Sequence, residues 1–289
     1  MIYHLLIQPF AENEAMRRAL AVSIAMSLGS APLGVFLVLR RMSLAGDTLS
    51  HGIFSGIAIA FVIAGGISFW PMTVGGIIAG FGITVFNTLV KRNTILKEDS
   101  TFAGAYMLSL ATGVLIITAH GGDEELVHIL FGDAFRIDNR LLFFATAMAS
   151  LSLLGLAIIY RPLVLECIDP IFMRAIGGRG GVYHQLFLIL VVLNLVSSFQ
   201  ALGTLMALGL MIMPAISARL WSNNIDSTIF LSVFMALISS LSGLLLSYHY
   251  SLPSGPSVVM AAGIIYLLSI IFGKNGVLIK YLPHHHFAE

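Results

Sequence analysis

Long apolar runs, repeated along almost the whole chain, most limit what this sequence can fold into. A helix needs about 20 mostly apolar residues to cross the hydrocarbon core of a bilayer, since each residue advances it by about 1.5 Å. Nine segments approach that length: 19–39, 43–64, 71–90, 102–119, 141–160, 186–199, 202–220, 228–248 and 256–272. The sequence therefore predicts an all-α fold, a polytopic transmembrane helical bundle of eight or nine spans that forms one domain over residues 1–289.

One part of this pattern is irregular. Between residues 186 and 220, two short apolar segments meet at Gln200-Ala201-Leu202-Gly203. A helix break at membrane depth is tolerated only where the protein itself buries the freed backbone groups. We expect one of these two segments to be a broken or half-crossing helix.

Composition narrows the chemistry of any functional site. Hydrophobic residues make up 58% of the chain and charged residues 10%, outside the usual range of soluble domains. The net charge of +1 provides no basic face for nucleic acid. Cys167 is the single cysteine, so a metal site here must use nitrogen and oxygen ligands. This sequence contains no Gly-x-x-x-x-Gly-Lys-Ser/Thr motif, which predicts that it does not bind ATP through a P-loop.

The loops between the predicted spans indicate how the bundle is oriented. With nine spans, most basic residues fall at one end of the bundle: Arg40, Arg41, Lys91, Arg92, Lys97, those within 161–179, Arg219, Lys274 and Lys280. Arg17 and Arg18 would fall at the other end, so the side of the N-terminus stays open. The loops at the other end, around 120–133 and 248–250, are richer in acids and histidines. The positive-inside rule places the basic end in the cytoplasm.

The second predicted span begins with polar residues that a lipid environment disfavours. It begins within the sequence Arg-Arg-Met-Ser-Leu-Ala-Gly-Asp-Thr-Leu-Ser-His-Gly of residues 40–52, which leads into the apolar run 53–63. In a helix, Asp47 and His51 lie on one face. A charge at the bilayer centre costs roughly 2.5–3.5 kcal/mol on insertion scales, so an ionisable residue there indicates function. A carboxylate and an imidazole at this spacing suit zinc, manganese or iron.

Two structural alternatives stay open for this pair. Gly46-Asp47 could interrupt the span so that Asp47 caps a helix beginning at Thr48. His51 could be a buried imidazole bonded to a neighbouring helix. If the span is continuous, Asp47 and His51 lie roughly 9 and 15 Å from the cytoplasmic rim, because they follow Arg41 by six and ten residues. His51 is then close to the midplane, where carriers bind their substrates.

These residues resemble the signature of membrane permeases from bacterial ABC importers for zinc, manganese and iron, in which an Arg-Arg pair precedes Gly-Asp and Ser-His-Ala/Gly. Further segments agree with that family in order and spacing: 131–133, 168–170 with 175–177, 202–205 through 213–220, and 252–256. The resemblance extends over nearly the whole chain. Gly52 stands where relatives often have alanine.

The resemblance implies a multi-pass permease of the bacterial cytoplasmic (inner) membrane that is a transport subunit and not itself an enzyme. Its expected partners are two cytoplasmic ATPase subunits, an extracytoplasmic metal-binding protein, a second copy of the chain in a homodimer, and membrane lipid. Asp47 and His51 correspond to the family's metal-pathway residues. No covalently bound cofactor is expected; the cargo is a divalent metal, and we favour zinc over manganese or iron.

Two inner loops are candidates for coupling to the ATPase. The first choice is 217–226, with Arg219, Trp221, Asn224 and Asp226, because it joins two spans by a short polar turn after Pro214. The second is 169–178, with Asp169, Arg174 and Gly177. Either could instead be an ordinary inner loop.

Other histidines and acids carry weaker predictions. His120, Asp123, Glu124, Glu125 and His128 could attract cations or recruit the binding protein, but an ordinary solvated loop is the preferred interpretation; His249 is similar. The tail histidines at 284–286 could chelate metal. An alternative function is an ion-coupled secondary carrier in which Asp47 and His51 relay protons. The sequence contains no His-Glu-x-x-His cluster, so it does not favour an intramembrane metalloenzyme.

Overall fold

The computed structural model describes residues 8–66, 68–96, 98–119 and 137–278. In this part of the chain the helices are α1 (Gln8–Glu12), α2 (Glu14–Leu39), α3 (Ser43–Ala64), α4 (Phe69–Asn93), α5 (Glu98–Ala119), α6 (Asn139–Ile168), α7 (Pro170–Ala175), α8 (Gly180–Leu202), α9 (Thr204–Trp221), α10 (Ile225–Tyr250) and α11 (Ser254–Phe272). Eight of them are long and apolar enough to cross a membrane, and α5 contains a shorter apolar stretch, Ser100–Ile116. The predicted all-α polytopic bundle is confirmed.

The irregular region contains a sharp junction. Gly203 separates α8 from α9 and has φ of 85°, a left-handed conformation that glycine adopts without the penalty of a side chain. The break therefore falls where the sequence predicted it. Helix α8 begins earlier than expected, at Gly180, and both helices are long enough to count as spans. The junction lies between two spans, and neither is half-crossing by its length.

The predicted cytoplasmic loops gather at one end of the bundle. Arg40, at the end of α2, forms an ion pair with Glu166 near the end of α6, with N and O 3.5 Å apart. The backbone N–H of Asn275, beyond α11, donates to the carbonyl of Leu220 in α9 at 2.8 Å. These contacts agree with the alternation of basic and acidic loops read from the sequence.

Glycines allow the central helices to approach closely. A Cβ added at Gly34 of α2 would lie 1.7 Å from the carbonyl oxygen of Met211 in α9. A Cβ added at Gly56 of α3 would lie 2.4 Å from the carbonyl oxygen of Gly75 in α4. Such close packing at small residues is the main source of helix association where lipid removes the hydrophobic drive. It fixes α2 against α9 and α3 against α4.

Polar side chains add specific links between the helices. Thr48 Oγ1 in α3 donates to the carbonyl of Phe102 in α5 at 3.1 Å, and the hydroxyls of Ser27 and Ser240 join α2 to α10 at 3.1 Å. Buried hydroxyls usually need such partners, because an unpaired polar group away from water costs about 1–3 kcal/mol. Between them, large apolar residues such as Phe36 and Leu49 form the core.

The close approach at Gly34 gives a stability prediction. Gly34→Ala should lower the free energy of unfolding by about 2 kcal/mol or more, because its methyl group would collide with backbone that cannot rotate away. The matching shift is a decrease of about 3 °C or more in the melting temperature of the purified protein in detergent, given the unfolding entropy of a chain of this length. Gly82→Ala is the control, since nothing lies within 4 Å of its added Cβ. Equal melting temperatures for the two variants would contradict this packing.

Candidate functional site

Helix α3 presents a narrow polar stripe. The helix begins at Ser43 without a side-chain cap, and Asp47 lies inside it. The alternative in which Asp47 caps a helix beginning at Thr48 is therefore wrong. Most of α3 is buried, but the side chains of Asp47 and His51 are 46% and 24% exposed. The chain thus leaves an acid and an imidazole accessible in a helix long enough to span a membrane.

The two side chains are close without forming a hydrogen bond. Asp47 Oδ1 and His51 Nε2 are 3.7 Å apart, beyond the usual hydrogen-bond range. The ring of Tyr106, from α5, meets the His51 ring edge to face, with centroids 4.8 Å apart and planes at 81°. This contact restricts the imidazole on one side. Because no hydrogen bond joins the carboxylate to the imidazole, both can turn toward a shared ligand.

Glycines of the same motif bring other helices up to this stripe. A Cβ at Gly46 would lie 3.2 Å from both Ile212 Cδ1 and Met211 Cε of α9. A Cβ at Gly52 would lie 1.8 Å from Ile83 Cδ1 of α4. The first position faces α9, and the second faces α4. The Gly-Asp and His-Gly pairs in the sequence thus combine a polar group with a close helix contact.

The described residues around this stripe do not form a complete metal coordination shell. Among the described residues, no group of three or more His, Cys, Asp or Glu side chains is close enough to hold a metal ion. The nearby hydroxyls of Thr48, Ser50 and Ser55 donate to backbone carbonyls. Asp47 and His51 are therefore the two side chains on the stripe that could act as strong metal ligands. A complete site would need further groups beyond these two.

A second cluster lies around Arg40, at the end of the bundle that the basic loops predict to be cytoplasmic. This residue belongs to the three-residue turn Arg40–Met42 between α2 and α3. Its guanidinium contacts His184 Nδ1 of α8 and the carboxylate of Glu166, and the side chains of the Arg40–Glu166 pair are only 11% and 16% exposed. Glu166 also lies against Gly180, at the start of α8, where unpaired N–H groups favour a negative charge. The cluster joins the ends of three helices a few residues before Asp47.

The first coupling loop is tied into the bundle. Its four predicted residues are Arg219, Trp221, Asn224 and Asp226. Arg219 donates to the carbonyls of Ser222 and Asn223 within its own turn, at 3.4 and 3.1 Å.

Trp221 Nε1 donates to Ser269 Oγ of α11 at 3.0 Å, and the hydroxyl of Tyr160 in α6 donates to Asp226. The exposed Asn224 accepts from the backbone N–H of Thr228 through its carbonyl. Three of the four side chains are thus engaged within the chain.

The second coupling loop presents apolar side chains outward. Asp169 caps α7, since its Oδ1 accepts from the backbone N–H groups of Ile171 and Phe172 at 3.0 and 2.9 Å. Ile171 and Phe172 are 77% and 51% exposed. Gly177 follows the helix with φ of 75°. The loop therefore holds a short, capped helix with uncovered apolar groups.

Several predicted residues fall elsewhere. His249 lies near the end of α10, its ring 5.6 Å from that of Tyr248. The following predicted residues lie outside the described part of the chain: His120, Asp123, Glu124, Glu125 and His128 of the outer loop, the segment 131–133, Lys97, Lys280 and the tail histidines 284–286. The side chain of Arg174 also lies outside it.

Tyr106, Glu166 and His184 were missed by sequence reasoning. Tyr106 occurs in an ordinary apolar run with no signal that links it to His51. Glu166 and His184 gave a weak signal, because each is an ionisable residue near the end of an apolar segment. Their shared partner, Arg40, could not be identified without the arrangement of the helices.

Comparison with known proteins gives a consistent result. The model of the ABC 3 transport family matches residues 12–273. The manganese import system permease protein ScaB of Streptococcus parasanguinis is 30% identical over 260 residues, covering 90% of this chain and 91% of that protein. The manganese transport system membrane protein MntC of Halalkalibacterium halodurans is 31% identical over 268 residues, covering 92% and 90%. Among solved structures, PsaBC from Streptococcus pneumoniae in complex with Fab has a TM-score of 0.84 and 28% identity, covering 98% of this chain and 99% of that chain.

The ion pair around Arg40 gives a second stability prediction. Glu166→Gln should lower the free energy of unfolding by about 1–3 kcal/mol, because it leaves a mostly buried guanidinium without its carboxylate. Glu14→Gln is the control: Glu14 pairs with Arg18 at the surface and is 66% exposed, so its loss should cost less than about 1 kcal/mol. Chemical denaturation of both purified variants measures the difference. Equal losses would show that the Arg40 pair is not specially important.

Proposed function

Because the chain belongs to the ABC 3 transport family, we propose that it is the permease of an ATP-driven importer that carries a divalent transition metal into the bacterial cytoplasm. The observation that carries this proposal is the accessible Asp47–His51 pair within a predicted membrane span. Lipid would penalise an exposed ionisable pair at that depth. A water-filled pathway used by a cation removes the penalty and gives the pair a role.

A second copy of the chain would complete the site. Each chain offers one carboxylate and one imidazole, and two chains related by a two-fold axis would offer two of each. Four such ligands satisfy tetrahedral zinc, and with added water they satisfy the higher coordination number of manganese. The exposure of the α3 stripe supports this arrangement, since a facing copy would shield Asp47 and His51 from lipid.

Manganese is the first ion to test. The sequence alone favoured zinc because an imidazole is present, but both relatives compared by sequence are named for manganese. A carboxylate paired with an imidazole accepts either ion, and intrinsic affinity is a poor guide to the physiological one. The preference for zinc stays a prediction without support from those names. We therefore propose manganese as cargo, with zinc and iron as the alternatives.

Energy would come from a separate pair of ATPase chains on the cytoplasmic side, and an extracytoplasmic binding protein would deliver the metal. We propose α7 as the part that docks on the ATPase, ahead of the turn from Arg219 to Asp226. An exposed apolar pair on a short, capped helix suits a groove in a partner, as Ile171 and Phe172 provide. The Arg219 turn is already tied to Ser269 and Tyr160.

The link from α7 to the metal pair would pass through the cluster around Arg40. Helix α7 lies between α6, which ends beside Glu166, and α8, which begins at Gly180 against the same carboxylate. Arg40 binds that carboxylate and lies three residues before the start of α3. A displacement of α7 by the ATPase would therefore reach the start of the helix that carries Asp47 and His51. Rigid motion of this kind is what alternating access requires.

Metal binding provides the direct test of the site. Asp47→Asn and His51→Gln should each weaken binding of Mn²⁺ by more than about tenfold, since loss of even an indirect ligand contact costs 10–100-fold. Both should abolish ATP-dependent uptake in proteoliposomes while the protein still assembles. Calorimetry should also find one ion per two chains in the wild type. His249→Gln is the control, because this histidine lies away from the pair.

Two results would count against this proposal. Normal uptake by both variants would remove Asp47 and His51 from the pathway. Uptake driven by a pH gradient, without ATP and insensitive to vanadate, would instead support the ion-coupled secondary carrier.

A pair of variants separates the two docking candidates. Phe172→Ser should greatly reduce the ATPase activity that co-purifies with the tagged permease, because it removes an exposed apolar contact. Trp221→Phe should leave that activity nearly unchanged, since the indole mainly bonds to Ser269 within the chain. The reverse pattern would return the Arg219–Asp226 turn to first place.

A further inference from the structure

A groove lies between α6 and α10 on the outside of the bundle. It is an open groove with a volume of about 410 Å³, and Pro32 of α2 is one of its lining residues. Leu153, Leu156 and Ala157 of α6 form one wall, and Ile229 of α10 forms the other. The volume is within the range of about 300–1,000 Å³ that small-molecule sites occupy. The groove is therefore large enough for a ligand and almost wholly apolar.

The groove opens away from the metal pair. Pro32 and Gly34 lie two positions apart in α2 and so point to nearly opposite faces of that helix. Gly34 packs on Met211 of α9, which in turn packs on α3 at Gly46. Pro32 faces the groove instead. Beside the groove, Ile158 of α6 is 81% exposed, as expected for a surface that contacts lipid chains.

One end of the groove is polar and reaches the cytoplasmic rim. There Tyr160 donates its hydroxyl to the exposed carboxylate of Asp226, in the first turn of α10. The seven residues from Leu153 to Tyr160 advance α6 by about 10 Å, so the apolar part extends about that far toward the bilayer centre. The groove is therefore apolar toward the bilayer centre and polar at the rim, as one leaflet of a membrane is.

We propose that this groove binds an acyl chain of an ammonium-bearing phospholipid from the cytoplasmic leaflet, with the ammonium group at Asp226. The groove is lined almost entirely by apolar side chains and is open along its outer side, which suits an acyl chain that lies in it. The Asp226 carboxylate attracts an ammonium group and repels a lipid with a net negative headgroup.

This site does not depend on which cargo the chain carries, and it requires only that the chain lies in a membrane. Its ligand would hold α6 and α10 at a fixed separation, because the groove is the space between them. Tyr160 and Asp226 already connect these two helices at the rim. The bound lipid would extend that connection about 10 Å into the bilayer.

Native mass spectrometry of the full-length chain in detergent tests the proposal. Phosphatidylethanolamine and phosphatidylglycerol with identical acyl chains are titrated separately. The wild type should bind phosphatidylethanolamine about fivefold more tightly, which corresponds to about 1 kcal/mol for an ion pair near water. Ala157→Trp should reduce binding of both lipids by at least that factor, because the indole fills the groove. Ile158→Trp, one position away and facing outward, should bind like the wild type.

Asp226→Asn separates the headgroup from the acyl chain. Its amide oxygen still accepts the hydroxyl of Tyr160, so the rim contact can persist while the charge is lost. This variant should bind both lipids alike, and it keeps the experiment decisive if tryptophan at 157 prevents folding. The proposal is overturned if Ala157→Trp binds lipid as Ile158→Trp does, if the wild type does not distinguish the two lipids, or if Asp226→Asn retains the preference. Loss of a dimer in Ala157→Trp alone would assign the groove to a second copy and also overturn it.

Discussion

Close contact between helix backbones holds this bundle together and determines where its polar groups lie. Met211 of α9 shows the arrangement, because its carbonyl lies against Gly34 of α2 and its side chain against Gly46 of α3. Lipid gives apolar helices little reason to associate, so contacts that only small residues allow carry much of the packing energy. Asp47 follows Gly46 directly. The contact that joins the central helices therefore also fixes the backbone directly before Asp47.

Features that depend on local sequence could be predicted. The spans followed from the lengths of the apolar runs, and the junction at Gly203 followed from the interruption in one of them. Asp47 and His51 share a face because a helix brings positions i and i+4 together. Their distance of 3.7 Å agrees with that geometry. Their role as metal ligands stays a prediction, since helical spacing determines proximity and not what the pair binds.

Features that depend on the arrangement of helices could not be predicted. Arg40 and His184 are 144 residues apart in the chain, and only the packing of α2 on α8 brings them together. Tyr106 reaches His51 because α5 packs on α3. The ranking of the two coupling loops changed for a similar reason. Both are short polar connections, and only the folded chain shows which of their side chains already bond to other helices. The sequence does not determine the preferred ion, because imidazole and carboxylate ligands accept several metals.

The turn between α2 and α3 makes the permease sensitive to the length of its own chain. Only Arg40, Arg41 and Met42 separate the two helices, Arg41 has φ of 58°, and the N–H of Met42 donates back to the carbonyl of Leu37 at 2.8 Å. A connection this short cannot absorb a change in its length. One residue inserted there would turn α3 by about 100° about its axis, since a helix has 3.6 residues per turn. Asp47 would then leave its stripe while the composition and hydropathy of the span stayed the same. The rotational position of α3 therefore depends on the length of this turn as well as on the packing of the helix.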